Sequence, residues 1–186
     1  MDEITQAVEV LKRGGIILYP TDTVWGVGCD ATNGEAVEKI YALKKRTDKL
    51  SMIVLVDSAD NIVRYVRQVP EVAWDLLNLS DKPLTLIMPE GVGVAQNLLP
   101  PEKTIAIRIP DNDFCREVIR KLRRPLVSTS ANISGEKSPA NFNEITQIIK
   151  DGVDLIVDRK FERGATGKPS SIIKLGLTGE VEIIRN

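Results

Sequence analysis

The apolar runs of this chain are all strand-length, and segments of helical periodicity alternate with them. That alternation sets the class as α/β, a sheet with flanking helices packed against it. Ile4, Ala7, Val8 and Leu11 recur at helical spacing until Gly14-Gly15 stops the helix. Ile16-Ile17-Leu18-Tyr19 is a buried strand ended by Pro20. Asn33 caps a second helix with Val37, Ile40 and Tyr41 on its inner face. A strand over Met52–Val56 precedes two helical segments, Ser58–Val66 and Pro70–Leu79, the latter with proline near its start. Strands follow over Leu84–Met88 and Ile105–Ile109. Asp111 caps a helix with Phe114, Val118, Ile119 and Leu122 inward, and Leu126-Val127 is again a strand. Asn141 with Glu144 has the pattern of a capping box for a helix carrying Ile145, Ile148 and Ile149. Strands at Leu155–Val157, Ser171–Leu175 and Val181–Ile184 complete the series. Gly176-Leu177-Thr178-Gly179 joins the last two in a hairpin, so the sheet is mixed, parallel and antiparallel. No repeat or low-complexity linker divides the 186 residues, and a single domain over 1–186 is expected.

Composition narrows the chemistry. The net charge is −1, so a nucleic-acid partner would have to be held by local charge rather than a basic surface. Histidine is absent, which excludes a Ser-His-Asp triad, Cys-His chemistry and histidine-ligated zinc. Catalysis must rest on positioning and charge. Cys29 and Cys115 are too few for a disulfide framework and read as buried thiols of a reducing compartment. The start Met1-Asp2-Glu3 has no apolar signal region, so a cytoplasmic location away from membranes is expected.

Four segments can carry chemistry. Leu126 and Val127 lead into Ser128-Thr129-Ser130-Ala131-Asn132-Ile133-Ser134-Gly135, extended by Ser138-Pro139. Hydroxyls, an amide and backbone N–H groups at a strand tip suit an anion, although an ordinary polar turn has the same composition. In Pro20-Thr21-Asp22-Thr23-Val24-Trp25-Gly26-Val27-Gly28 two hydroxyls flank a carboxylate, and Trp25 reads as core. Lys44-Lys45-Arg46-Thr47-Asp48-Lys49 leaves the second helix. It is either a solvated basic helix end or, in an extended exit, a pair of cations converging on one triphosphate. Arg108 interrupts the apolar strand Thr104-Ile105-Ala106-Ile107-Arg108-Ile109-Pro110. With Ile105, Ile107 and Ile109 inward, Arg108 shares the other face with Ala106 and either snorkels or meets an anion.

These segments, in this order, resemble the YrdC-like domain family. The likeness runs through Tyr19–Ala31, Lys44-Lys45-Arg46, Pro83–Ile87, Ala106–Pro110, Pro125–Gly135, Ser170–Ile173 and Val181–Arg185, nearly the whole chain. The resemblance implies a twisted mixed sheet around a concave, positively lined cavity. It implies an enzyme, a nucleotidyltransferase of tRNA modification, condensing L-threonine, bicarbonate (or CO2) and ATP into L-threonylcarbamoyladenylate and pyrophosphate. A separate threonylcarbamoyl-transferase complex would use the adenylate on tRNA, and Mg2+ would accompany the nucleotide. By motif position Thr23, Arg108 and Ser128 fall on the L-threonine side. Arg46, Thr104, Ser130, Asn132, Ser138, Ser170 and Arg185 fall on the ATP side, and Lys44 with Arg46 on the catalytic one. Phosphoryl transfer needs alignment, cations and a metal more than a general base, which suits a chain without histidine.

The chain departs from the family pattern in two places. Its Lys49-Leu50-Ser51-Met52-Ile53-Val54-Leu55 places Leu55 where the family often has a histidine, and Ser80-Asp81-Lys82-Pro83 replaces the usual Pro-Gly-Pro. Longer relatives carry a second C-terminal domain, whereas this chain ends at Asn186 and matches the short form. Two rival readings differ in class. One is a non-catalytic RNA-binding protein using the basic clusters Lys44–Lys49 and Arg120–Arg124. The other is a carbamoyl-transfer module like the related domain of hydrogenase-maturation proteins.

Overall fold

A computed structural model describes residues 2–46 and 52–186. The strands are β1 (Ile17–Tyr19), β2 (Gly26–Gly28), β3 (Ile53–Leu55), β4 (Leu84–Met88), β5 (Ile105–Arg108), β6 (Leu126–Ser130), β7 (Leu155–Ile156), β8 (Ser171–Leu175) and β9 (Val181–Arg185). Among the described residues they form one sheet in the order β7-β1-β2-β6-β3-β5-β4-β8-β9. The pairs β1–β7, β3–β5 and β4–β8 are parallel and the others antiparallel, as the closing hairpin requires. The helices are α1 (Glu3–Lys12), α2 (Gly34–Leu43), α3 (Glu71–Leu79), α4 (Asp113–Leu122) and α5 (Gln147–Asp151).

Alternation along each strand divides the side chains between two cores. Leu18, Val27, Val54, Leu86, Ile107 and Val127 face one way, onto Ala36, Val37 and Ile40 of α2, Ala73 of α3 and Ile149 of α5. Ile17, Tyr19, Leu55 and Leu126 face the other way, onto Ala7, Val8 and Leu11 of α1 and Phe114, Val118 and Leu122 of α4. Helices α1 and α4 cover only part of that second face. Ile53, Ala106, Arg108, Ser128 and Gly26 continue it beyond the helices. There the small residues Gly26, Ala106 and Ser128 leave a hollow beside Ile53 and Arg108, which is why the sheet has a cavity on this face.

Local chemistry moved several expected boundaries. The cap of α4 is Asn112, whose Oδ1 accepts from Cys115 N, while the neighbouring Asp111 lies 3.2 Å from Arg116. The Asn141–Glu144 pair caps the chain, but not as the reciprocal box: Asn141 Oδ1 accepts from Asn143 N, Glu144 accepts from Ala140 N, and Asn141 Nδ2 donates to Glu144. It opens only a 3-10 turn over Phe142–Glu144, however, and α5 begins separately behind Thr146. Residues Ala59–Arg64, expected as helix, are also 3-10. Strand β6 runs on to Ser130, because Thr129 and Ser130 still pair with Val27 and Gly26 of β2. The first hydroxyls of the polar segment therefore stand on a strand rather than in a turn. Cys29 and Cys115 are buried and free. No helix among the described residues is long and apolar enough to cross a membrane.

Candidate active site

The hollow on the sheet face is a cavity of about 240 Å³. Thr23, Arg46, Arg108, Ser128, Ser130, Ser138, Ser170 and Arg185 line it, eight of the residues singled out from the sequence. Segments far apart in the chain meet here because β2, β6, β3, β5, β4, β8 and β9 lie side by side in that order. Among the described residues three arginines and six hydroxyl-bearing residues line the space and no carboxylate does, so this part of the wall is electropositive. Met52, Ile53 and Ile172 add an apolar wall that sequence patterning marked only as strand core.

The turn before β2 is organised by its own hydroxyls. Thr21 Oγ1 accepts from Thr23 N at 3.0 Å and donates to the Val24 carbonyl at 2.7 Å. Its single proton is thereby used, so in the 2.9 Å contact between the two hydroxyls Thr23 is the donor. Thr23 Oγ1 keeps its lone pairs and faces the cavity as an acceptor. Thr21, expected to act beside it, is held in the turn. Trp25 is core, with its ring 4.9 Å from that of Phe142.

Arg108 stands on the face opposite Ile105 and Ile107, as alternation requires, and is 3% exposed. Its Nη1 donates to Asp22 Oδ1 at 2.5 Å, and its Nε is buried without a partner among the described residues. Ser138 Oγ is likewise buried on the cavity wall with no hydrogen bond among the described residues. Such orphaned groups point to a ligand. Ser170 Oγ lies 2.7 Å from Thr85 Oγ1, and its carbonyl accepts from Arg185 Nε at 2.9 Å. Thr166 N and Gly167 N donate to the carbonyls of Asp22 and Thr23, which draws Pro169 and Ser170 over the cavity. Gly167 can make this approach because its φ of +67° suits glycine.

Lys44 and Arg46 do not converge. Lys45, at φ +50°, turns the chain after the Lys44 cap, so that Arg46 reaches the cavity and Lys44 points into the protein. The Lys44 ammonium donates to the carbonyls of Ser130 and Asn132, the latter at 2.6 Å, and the Lys44 carbonyl accepts from Ser134 N. Burial, and then the charge of Arg46, lower its pKa to about 8. Asn132 also braces this loop: its Nδ2 donates to the carbonyls of Ile133 and Glu136. Thr104 is buried just before β5 and does not line the cavity. Leu55, where a histidine was a family expectation, is buried against α4. Thr47 to Ser51 lie outside the described residues.

A family model described as telomere recombination, covering Sua5, YciO and YrdC proteins, matches residues 9–186. The chain belongs to the Sua5/YciO/YrdC family. It is 33% identical over 176 residues to a threonylcarbamoyl-AMP synthase of Idiomarina loihiensis, covering 93% of this chain and 94% of that one. It is 30% identical to the same-named protein of Pseudoalteromonas translucida, covering 96% and 95%. Among solved structures it is similar to P. abyssi Sua5 complexed with L-threonine, with a TM-score of 0.82 and 26% identity. That match covers 94% of this chain, which spans about half (52%) of the Sua5 chain. Similarity to E. coli YciO has a TM-score of 0.77 at 27% identity, over 98% of this chain and 88% of the other.

Proposed function

We propose that this chain is a threonylcarbamoyl-AMP synthase. The observation that carries the reading is one cavity that joins an arginine flanked by two hydroxyls to a wall bearing two further arginines and three serines. Arg108, Thr23 and Ser128 form the first part, and Arg46 and Arg185 with Ser130, Ser138 and Ser170 form the second. Relatives named for this activity match along almost the whole chain.

The residues divide the work as follows. Arg108 receives the L-threonine carboxylate, and Thr23 Oγ1, an acceptor only, receives a hydrogen from its ammonium or hydroxyl. Once the ammonium has lost a proton to solvent, the neutral amine adds to the carbon of bicarbonate and water leaves, giving the carbamate. A carbamate oxygen then attacks the α-phosphorus of ATP, the bond to the β-phosphate oxygen breaks, and pyrophosphate departs. Arg46 and Arg185 oppose the charge that builds on the phosphates, and the serines fix their oxygens. Mg2+ fits here as an ion carried on the triphosphate, where it offsets phosphate charge. Among the described residues the cavity wall has no carboxylate, and no His/Cys/Asp/Glu cluster is able to hold a metal. The adenylate would pass to a threonylcarbamoyl-transferase complex acting on tRNA in the cytoplasm, with direct tRNA contact as a further expectation.

Pyrophosphate release by the purified protein tests this. It is expected only when ATP, L-threonine and bicarbonate are all present. Release that ignores threonine, or none at all under any combination, overturns the reading.

A further inference from the structure

We infer that Asp22 is a positioning residue for substrate recognition: through Arg108 it leaves one particular edge of the guanidinium for the ligand's carboxylate. This rests on the function proposed above and deepens it. A guanidinium offers two paired edges for a carboxylate fork, Nη1 with Nη2 and Nε with Nη2. Asp22 Oδ1 occupies Nη1, and Asp22 is the only hydrogen-bond partner of Arg108 among the described residues. The Nε–Nη2 edge is therefore intact, and its Nε is buried without a partner.

A purely structural ion pair would be built differently. Two buried charges repay their desolvation only when the geometry is good and the remaining donors are satisfied. Here both residues are under 10% exposed, yet the contact uses one nitrogen and leaves the fork edge open. The other side of Asp22 is also distinctive. Asp22 lines a second hollow of about 500 Å³ together with Arg116 and Thr166, while the Arg108 that it holds lines the first. Its main chain is pinned by Thr166 N, which donates to the Asp22 carbonyl. Asp22 is thus held from the backbone side while it holds Arg108 from the side-chain side.

The test compares wild type, Asp22→Asn, Asp22→Glu, Arg108→Lys and the Asp22→Asn/Arg108→Lys double variant. Each is measured by pyrophosphate release over an L-threonine series, an ATP series and an L-threoninamide series. Asp22→Asn is expected to raise the KM for L-threonine at least tenfold and the KM for ATP less than twofold. It should also narrow the preference for L-threonine over L-threoninamide. In the Arg108→Lys background the same change should add less than twofold, because Asp22 acts only through Arg108. If Asp22→Asn does not fold, Asp22→Glu keeps the charge balance, displaces the carboxylate and should give the same selective loss. Equal loss toward both substrates, an unchanged amide preference, or a full additional effect without Arg108 each overturn the inference. Wild-type protein lacking threonine-dependent release instead overturns the proposed function, and this inference with it.

Discussion

A lysine ammonium buried against peptide carbonyls makes charge-assisted hydrogen bonds, and an apolar side chain in its place would leave those carbonyls unpaired. Lys44 therefore couples the end of α2 to the loop that follows β6. With its pKa lowered to about 8, the ammonium is present below that pH and lost above it. The neutral amine keeps two N–H donors but not the charge that strengthens its bonds to the Ser130 and Asn132 carbonyls. We expect kcat/KM to fall above about pH 8, and Lys44→Arg, which stays charged, to move that limb to higher pH. A limb at the same pH in the variant belongs to another group. Arg46, one turn away, should behave differently. Arg46→Ala is expected to weaken ATP by about 1.5–3 kcal/mol with little change in thermal stability. An unchanged KM for ATP removes it from the phosphate wall. Both cations were visible in the sequence as one cluster. Their separation was not, because it depends on the left-handed Lys45 and on carbonyls some ninety positions away in the chain. Asp22 was likewise legible as a carboxylate between hydroxyls, but its arginine partner was not.

Strand β2 is three residues long and two of them are glycine, for different reasons. A Cβ on Gly28 would lie 2.2 Å from the Val127 carbonyl oxygen and 2.7 Å from Tyr19 Cε1, so backbone must move. Gly28→Ala should lose at least about 1–3 kcal/mol of stability, read by urea unfolding. A Cβ on Gly26 would meet Ser128 Oγ at 3.1 Å on the cavity wall. Gly26→Ala should keep its melting temperature within a few degrees but lower turnover, since it narrows the space beside Ser128. The reverse pattern would show that the roles of the two glycines are exchanged. Sequence patterning located these strands well where alternation was strict, as in Ile105–Arg108. It stopped β6 three hydroxyl residues early, because ladder pairing with β2 overrides the turn preference of serine. It also ran the helix after Asn141 straight through a break, since a well-formed cap does not dictate how many turns follow it.

At the scale of the whole molecule the sheet separates two cores, and each contains one thiol: Cys29 in the larger and Cys115 under α4. Burial pushes both thiols far above the ordinary range. In the unfolded chain they ionise near pH 8.5, while the fold keeps them neutral. The unfolded state then binds fewer protons than the native one, so this contribution to stability is complete below about pH 8.5 and declines as pH rises. Each thiol should remove about 1.4 kcal/mol per pH unit above that point. Lys44 acts in the opposite sense, because its native pKa is lowered: between about pH 8 and the unfolded value near 10.4 the native state sheds its proton first, which favours folding. Wild type alone thus mixes two opposing slopes. The difference between wild type and the Cys29→Ala/Cys115→Ala variant isolates the thiols. Unfolding free energies from urea titrations at pH 7.5 and 9.5 should show wild type losing about 3 kcal/mol relative to the variant. Native protein should also leave a thiol reagent unreacted until urea opens the cores. A parallel pH dependence in the two proteins, or fast labelling of folded protein, would mean that the cores admit water to their thiols.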